Sequence, residues 1–181
     1  QAYICRDYAI QGVDLNGCFA QYVPAPEQNL WKNDEQLPPE AACLQDPIGN
    51  AVLAAASVDI TGKTVIITGC GAIGLFAVGV ARAMGASRVY AVDINDYRLQ
   101  LAVQMGATRA INPNREDLVV EVNLDTRGDG ADLFVEISGH EQCLHDGLKA
   151  VKNGGRVALL GIPEKQICLD LAQEVIFKGI T

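Results

Sequence analysis

Basic residues are scarce in this chain. Lys and Arg number 14 against 22 Asp and Glu in 181 residues, a formal charge of −8, and no run of Lys or Arg occurs. Phosphate-backbone binders carry clustered cations, so nucleic acid is not expected as a partner. C-x-x-C pairs are absent: Cys5, Cys18, Cys43, Cys70, Cys143 and Cys168 lie far apart. A chain of this mass buries ~70% of its unfolded surface and needs no covalent staples, so free thiols in a reducing, cytoplasmic setting are expected. No Met opens the chain and no apolar signal region follows Gln1, which reads as an internal fragment rather than a secreted precursor. An uninterrupted membrane span is missing too. Val65 to Met84 carries one charge, Arg82, but Gly69, Gly71 and Gly74 divide it into a β-branched run and a helix-like run. Internal repeats, low-complexity tracts, a nucleophile elbow and a Ser-His-Asp order are likewise absent. The two histidines, His140 and His145, are five apart, off the spacing that shares a helix face, and read as surface or capping residues.

From Thr64 onward, short β-branched runs alternate with helical ones. Strands are expected at Thr64–Thr68, Arg88–Val92, Arg109–Asn112, Asp132–Ile137 and Arg156–Leu160. Helices are expected at Ile73–Met84, Tyr97–Met105, Glu116–Leu124, Glu141–Val151 and Leu169–Phe177. Gly85, Gly106 and Gly154-Gly155 read as helix stops. This alternation implies an α/β fold, a doubly wound parallel sheet of the Rossmann type covered on both faces. The first part of the chain differs. It offers a short strand at Gly17–Val23 and helix starts at Pro38-Pro39-Glu40 and Asp46-Pro47, with the small apolar run Ala51–Val58 after them. A domain boundary is expected between Gly49 and Ile60, giving residues 1–50 and 51–181.

Gly69-Cys70-Gly71-Ala72-Ile73-Gly74 fits G-x-G-x-x-G between a strand and a helix, and Asp93 ends the next strand. Gly69 permits the tight turn, Gly71 lets backbone approach a pyrophosphate, and Gly74 lets helix and strand pack closely. The helix N-terminus supplies unpaired N–H groups to the phosphates. Asp93 either caps the following helix or accepts the adenosine ribose hydroxyls. The second role excludes the 2′-phosphate of NADP by charge and makes NAD the cofactor. Arg98 either lies against the adenine or is solvated. Ligands of such sheets sit beyond the carboxyl ends of the strands, so Ile137, Ser138 and Gly139 after the fourth strand, and Gly161, Ile162 and Pro163 after the fifth, are expected to face the nicotinamide half. Glu136, among apolar neighbours, is expected to hydrogen-bond locally, and Cys70 to serve as a small residue.

Thr61 to Gly74 resembles the cofactor domain of zinc-dependent medium-chain dehydrogenases. Asp46-Pro47-Ile48-Gly49-Asn50-Ala51-Val52, Asp93-Ile94-Asn95-Asp96-Tyr97-Arg98-Leu99 and Val175-Ile176-Phe177-Lys178-Gly179-Ile180-Thr181 narrow the likeness to that family's threonine 3-dehydrogenases. The resemblance implies residues 1–50 as the edge of a GroES-like catalytic domain and 51–181 as the NAD-binding domain. It implies transfer of a hydride from a secondary alcohol, threonine, to NAD, with zinc lowering the pKa of the alcohol. Asp46 is implied as a catalytic residue at the zinc, or else as a helix cap with Pro47 after it. Cys5 is implied as one ligand of a structural zinc whose companions are absent here. A sheet cut off before its sixth strand, a small-molecule substrate and homo-oligomeric assembly follow from the same likeness. Leu53 stands where some relatives carry a polar residue. The rival readings are a polyol or other secondary alcohol dehydrogenase of the same family, and a non-catalytic NAD-sensing module.

Overall fold

A computed structural model describes residues 6–181, so Cys5 lies outside the described residues. The chain divides into two units between Ala42 and Cys43. The division at Asn50 to Ala51 expected above cuts through a helix that belongs to the second unit.

In the first unit, Gln11 and Leu15 form an isolated β-bridge and the Gln11 side chain donates to the Pro24 carbonyl at 2.9 Å. The strand expected at Gly17–Val23 is not formed. Its large side chains Phe19 and Tyr22 are exposed, so burial gives a strand there no support. Helix α1 spans Pro39–Ala42, with Glu40 in its first turn.

The second unit begins with α2, Gln45–Ala55. Then follow β1 (Thr64–Thr68), α3 (Ala72–Ala83), β2 (Arg88–Val92), α4 (Asp96–Gln104), β3 (Arg109–Ile111), α5 (Leu118–Thr126), β4 (Ala131–Glu136), α6 (Glu141–Ala150) and β5 (Val151–Leu159). All pairings are parallel, in the order β3-β2-β1-β4-β5. The chain winds outward from β1 through β2 to β3, then returns to the other side of β1 for β4. The switch point therefore lies between β1 and β4. Every residue of β1 is buried, as a parallel strand covered on both faces requires. Val65, Ile67, Val89, Ala91, Leu133 and Val135 pack on one side with Ala77, Val78 and Ala81 of α3. Ile66, Tyr90, Val92 and Phe134 pack on the other with Leu118, Val122, Leu144 and Leu148 of α5 and α6. No helix among the described residues is long and apolar enough to cross a membrane.

Side chains set two helix starts. Asn95 Oδ1 accepts the N–H groups of Tyr97 and Arg98 at 3.0 and 3.2 Å, and Asp117 Oδ1 those of Val119 and Val120 at 2.8 and 3.1 Å. At the end of α6 the expected glycine stop is not used. The Lys178 ammonium instead donates to the carbonyls of Leu148, Lys149 and Val151 at 2.5, 3.1 and 2.6 Å. Strand β5 therefore starts at Val151, paired with Ala131, and carries Gly154-Gly155 inside it beside a register shift. The last expected helix is a six-residue π-helix, Leu171–Ile176. Beyond it the Thr181 carbonyl accepts the Val157 N–H at 2.9 Å, continuing the sheet edge.

Candidate functional site

The glycine turn joins β1 to α3 at the switch point, and its three glycines answer to three different needs. Gly69 has φ +86°, and a Cβ there would lie 2.8 Å from the Ser138 backbone nitrogen. A Cβ on Gly74 would lie 1.8 Å from the Gly69 carbonyl oxygen. Gly71 is ordinary extended backbone, and a Cβ on it would meet nothing within 4 Å. Two of the glycines are thus demanded by the protein's own packing, while the third leaves open space in front of an α-helix that no side chain caps. An uncapped helix N-terminus facing free space is the geometry of an anion site, with Ala72 and Ile73 presenting first-turn amides.

Asp93 closes the other side of this turn. It is 9% exposed, and its Oδ2 accepts the Cys70 N–H at 2.7 Å while its Oδ1 accepts the Asn95 N–H at 2.8 Å. The capping reading is corrected: Asn95, not Asp93, caps α4. Asp93 instead ties the β2–α4 loop to the glycine turn, and its oxygens keep lone pairs for a further donor. Arg98 reaches back toward it, with Nη1 3.8 Å from Oδ2 and the side chain half exposed. Cys70 is fully buried, and burial, followed by the Asp93 charge, pushes its thiol up to about 12. It is a small packing residue, not a nucleophile.

The strand-end loops meet the turn. Ile137 donates its N–H to the Thr68 carbonyl at 3.0 Å. A Cβ on Gly139 would lie 2.6 Å from the Ile162 carbonyl oxygen, and one on Gly161 would lie 2.3 Å from the Gly139 nitrogen. Gly69, Ser138, Gly139, Gly161 and Ile162 are therefore stacked backbone against backbone, with Pro163 following. Sequence reasoning missed what holds them. Glu136, taken above as bonding locally, is 3% exposed and joins residues of two segments: its Oε1 accepts the hydroxyls of Thr68 at 3.3 Å and Ser138 at 2.5 Å. The available signal was a carboxylate at the end of a strand, directly after the apolar run Leu133-Phe134-Val135. Cys143, on α6, has its thiol pushed up by burial, with the Ser138 hydroxyl acting against that.

Asp46 is not joined to this cluster by any described hydrogen bond. It is exposed in the first turn of α2, whose cap position is Leu44, and its carboxylate accepts the Asn50 amide at 3.2 Å. Among the described residues no group of three or more His, Cys, Asp or Glu comes together that could hold a metal ion. A closed zinc site needs four donors and a catalytic one three, so the described residues do not by themselves make a zinc site. His140 occupies the cap position of α6 without a side-chain cap bond, and His145 Nδ1 lies 2.6 Å from Glu174 Oε1. A second open cleft, lined by Arg88, Asp132 and Lys152 among others, lies at the amino ends of the strands. The Lys152–Asp132 pair at 2.5 Å and the Asp132 bond to the Thr64 N–H engage two of its charges structurally. Cys18, Cys70, Cys143 and Cys168 are free thiols.

Residues 72–181 match the model of a family described as zinc-binding dehydrogenase. The chain is 49% identical over 178 residues to L-threonine 3-dehydrogenase of Symbiobacterium thermophilum, covering 98% of this chain and 51% of that protein. It is 46% identical over 181 residues to L-threonine 3-dehydrogenase of Bacillus subtilis, covering 100% and 52%. Among solved structures, alcohol dehydrogenase TADH from Thermus sp. ATN1 superposes with a TM-score of 0.84 at 31% identity, over 93% of this chain and 50% of that one. Galactitol-1-phosphate dehydrogenase from Escherichia coli superposes with a TM-score of 0.86 at 27% identity, over 98% and 52%. The chain thus spans about half the length of the curated relatives it matches. With the matched region starting at the first residue of α3 and running to Thr181, the chain belongs to the zinc-binding dehydrogenase family.

Proposed function

We propose that this chain is the NAD-binding part of a zinc-dependent dehydrogenase that moves a hydride from the hydroxyl-bearing carbon of L-threonine to NAD. The observation that carries the cofactor reading is Gly71: open space at an uncapped helix N-terminus, directly beside a buried aspartate at the end of β2. In this reading the amides of Ala72, Ile73 and Gly74 hold the diphosphate. Asp93 accepts the ribose hydroxyls and repels a 2′-phosphate. The loops at Ile137–Gly139 and Gly161–Pro163 flank the nicotinamide half and limit water there. When bound, NAD supplies the hydride acceptor, and the protein supplies orientation. Threonine is preferred over a polyol because relatives at 43–49% identity carry that activity in their names, whereas structural neighbours named for galactitol-1-phosphate and 2R,3R-butanediol stand at 27%.

The test pairs binding with turnover. Calorimetric titration should give one NAD per chain, with NADP much weaker. In the intact enzyme, NADH absorbance should rise with L-threonine and not with polyols. Equal affinity for NAD and NADP refutes the role of Asp93. NADH formation from a polyol but not threonine moves the substrate to the polyol class.

A further inference from the structure

Glu136 is a buried carboxylate for which the packing of the sheet offers no requirement. It ends β4 at 3% exposure and, among the described residues, takes part in no ion pair. Burying an acid is costly unless hydrogen bonds satisfy it, and an apolar side chain of similar volume would fill the same space at lower cost. Here the bonds are plentiful and aimed at one place. Oε1 accepts the Thr68 hydroxyl at 3.3 Å, the Ser138 hydroxyl at 2.5 Å and the Gly139 N–H at 3.0 Å, while Oε2 lies 3.2 Å from the same N–H. The Glu136 backbone carbonyl accepts the N–H groups of Leu160 and Gly161 at 2.8 and 2.9 Å. A Cβ on Gly161 would sit 2.4 Å from Oε2, so the third loop is pressed directly against the carboxylate.

Three chain segments from distant parts of the sequence therefore converge on this one group: the end of β1 leading into the glycine turn, the loop after β4 and the loop after β5. The Ser138 hydroxyl spends its proton on Glu136 and in turn accepts the His140 N–H at 3.1 Å, which passes the same constraint to the start of α6. The bonds that fix the other half of the site, from Cys70 and Asn95 to Asp93, do not involve Glu136.

We propose that Glu136 is a positioning residue that sets the loops at Ser138–Gly139 and Gly161–Ile162 against the glycine turn, forming the seat of the nicotinamide–ribose half of the cofactor and leaving the adenosine diphosphate half to the turn and Asp93. The proposal rests on the NAD reading above. Its signature is a split between two ligands that a merely structural role does not produce.

The experiment is calorimetric titration of this chain with NAD and with ADP, for wild type, Glu136→Gln and Glu136→Met, with a thermal melt of each. Gln keeps the volume and one acceptor oxygen but turns an NH2 group toward the Gly139 N–H; Met keeps volume and removes both acceptors. Glu136→Gln should weaken NAD about tenfold while changing ADP by about twofold or less, and Glu136→Met should widen the split. If Glu136→Met does not fold, the Gln variant decides alone. Equal losses for both ligands, or NAD affinity unchanged in folded Glu136→Gln, overturn the positioning role while leaving the cofactor reading intact. Wild type binding neither ligand overturns the cofactor reading and this proposal with it.

Discussion

Gly71→Ala separates what the glycine turn does for the fold from what it does for a ligand. The added methyl meets no atom within 4 Å, and φ −71° with ψ −168° is backbone that alanine adopts without strain. The cost to the free protein is confined to the weaker cap preference of Ala, about 1 kcal/mol or less. With a diphosphate seated on α3, the same methyl enters the space through which backbone must approach it. Overpacking of that kind costs about 1–3 kcal/mol, or about 5- to 150-fold in affinity. Gly74→Ala is the contrast: its Cβ would lie 1.8 Å from the Gly69 carbonyl oxygen, so the turn must shift even without ligand. Thermal melting without cofactor, with calorimetric titration of NAD, distinguishes the two. Gly71→Ala should melt close to wild type and bind NAD weakly; Gly74→Ala should lose stability and binding together. NAD affinity unchanged in Gly71→Ala would refute the phosphate-cradle reasoning.

Three further outcomes are expected. Asp93→Asn should weaken NAD about 10- to 150-fold, because it removes a charged acceptor, and narrow the gap to NADP; titration of both cofactors checks this, and an unchanged gap contradicts it. The Cys70 thiol, raised to about 12 chiefly by burial, should resist alkylation while exposed Cys18 and Cys168 react. Its folded pKa exceeds the unfolded value of 9.0, so its contribution to stability is intact below that pH and is lost as pH rises toward about 12; melts across that window should fall more steeply for wild type than for Cys70→Ala. Asp46→Ala should cost about 0.3–1 kcal/mol, the worth of a carboxylate in a helix first turn, and elemental analysis of the chain should find substoichiometric zinc before and after; a full zinc equivalent lost with Asp46 would overturn that.

What the sequence disclosed depended on whether a residue's partner was local. Strands β1 and β2 were read to the residue, because β-branched runs buried on both faces leave no second interpretation. The Gly17–Val23 run offers aromatic and apolar residues suited to a strand, but a strand needs a neighbour, and no pattern within seven residues reveals whether one is there. Gly154-Gly155 mimicked a helix stop because the real terminator, Lys178, lies far along the chain. In the site, G-x-G-x-x-G was legible since its spacing encodes contacts inside one turn, Gly74 against Gly69 above all. Asp93 was legible as a carboxylate at a strand end, though its bond to the Cys70 N–H was not. The junction at Glu136 was invisible because Thr68, Ser138 and Gly161 come together only through the order β1-β4-β5.

NAD is expected to lie across the carboxyl ends of the strands at the glycine turn. Backbone amide NMR of the isotopically labelled chain during an NAD titration tests this directly. Shifts should concentrate at Gly69 to Gly74, Asp93 to Arg98, Ile137 to Gly139 and Gly161 to Ile162, saturating at one NAD per chain. Saturable shifts confined to the cleft at Arg88, Asp132 and Lys152, or none in a folded chain, would contradict it.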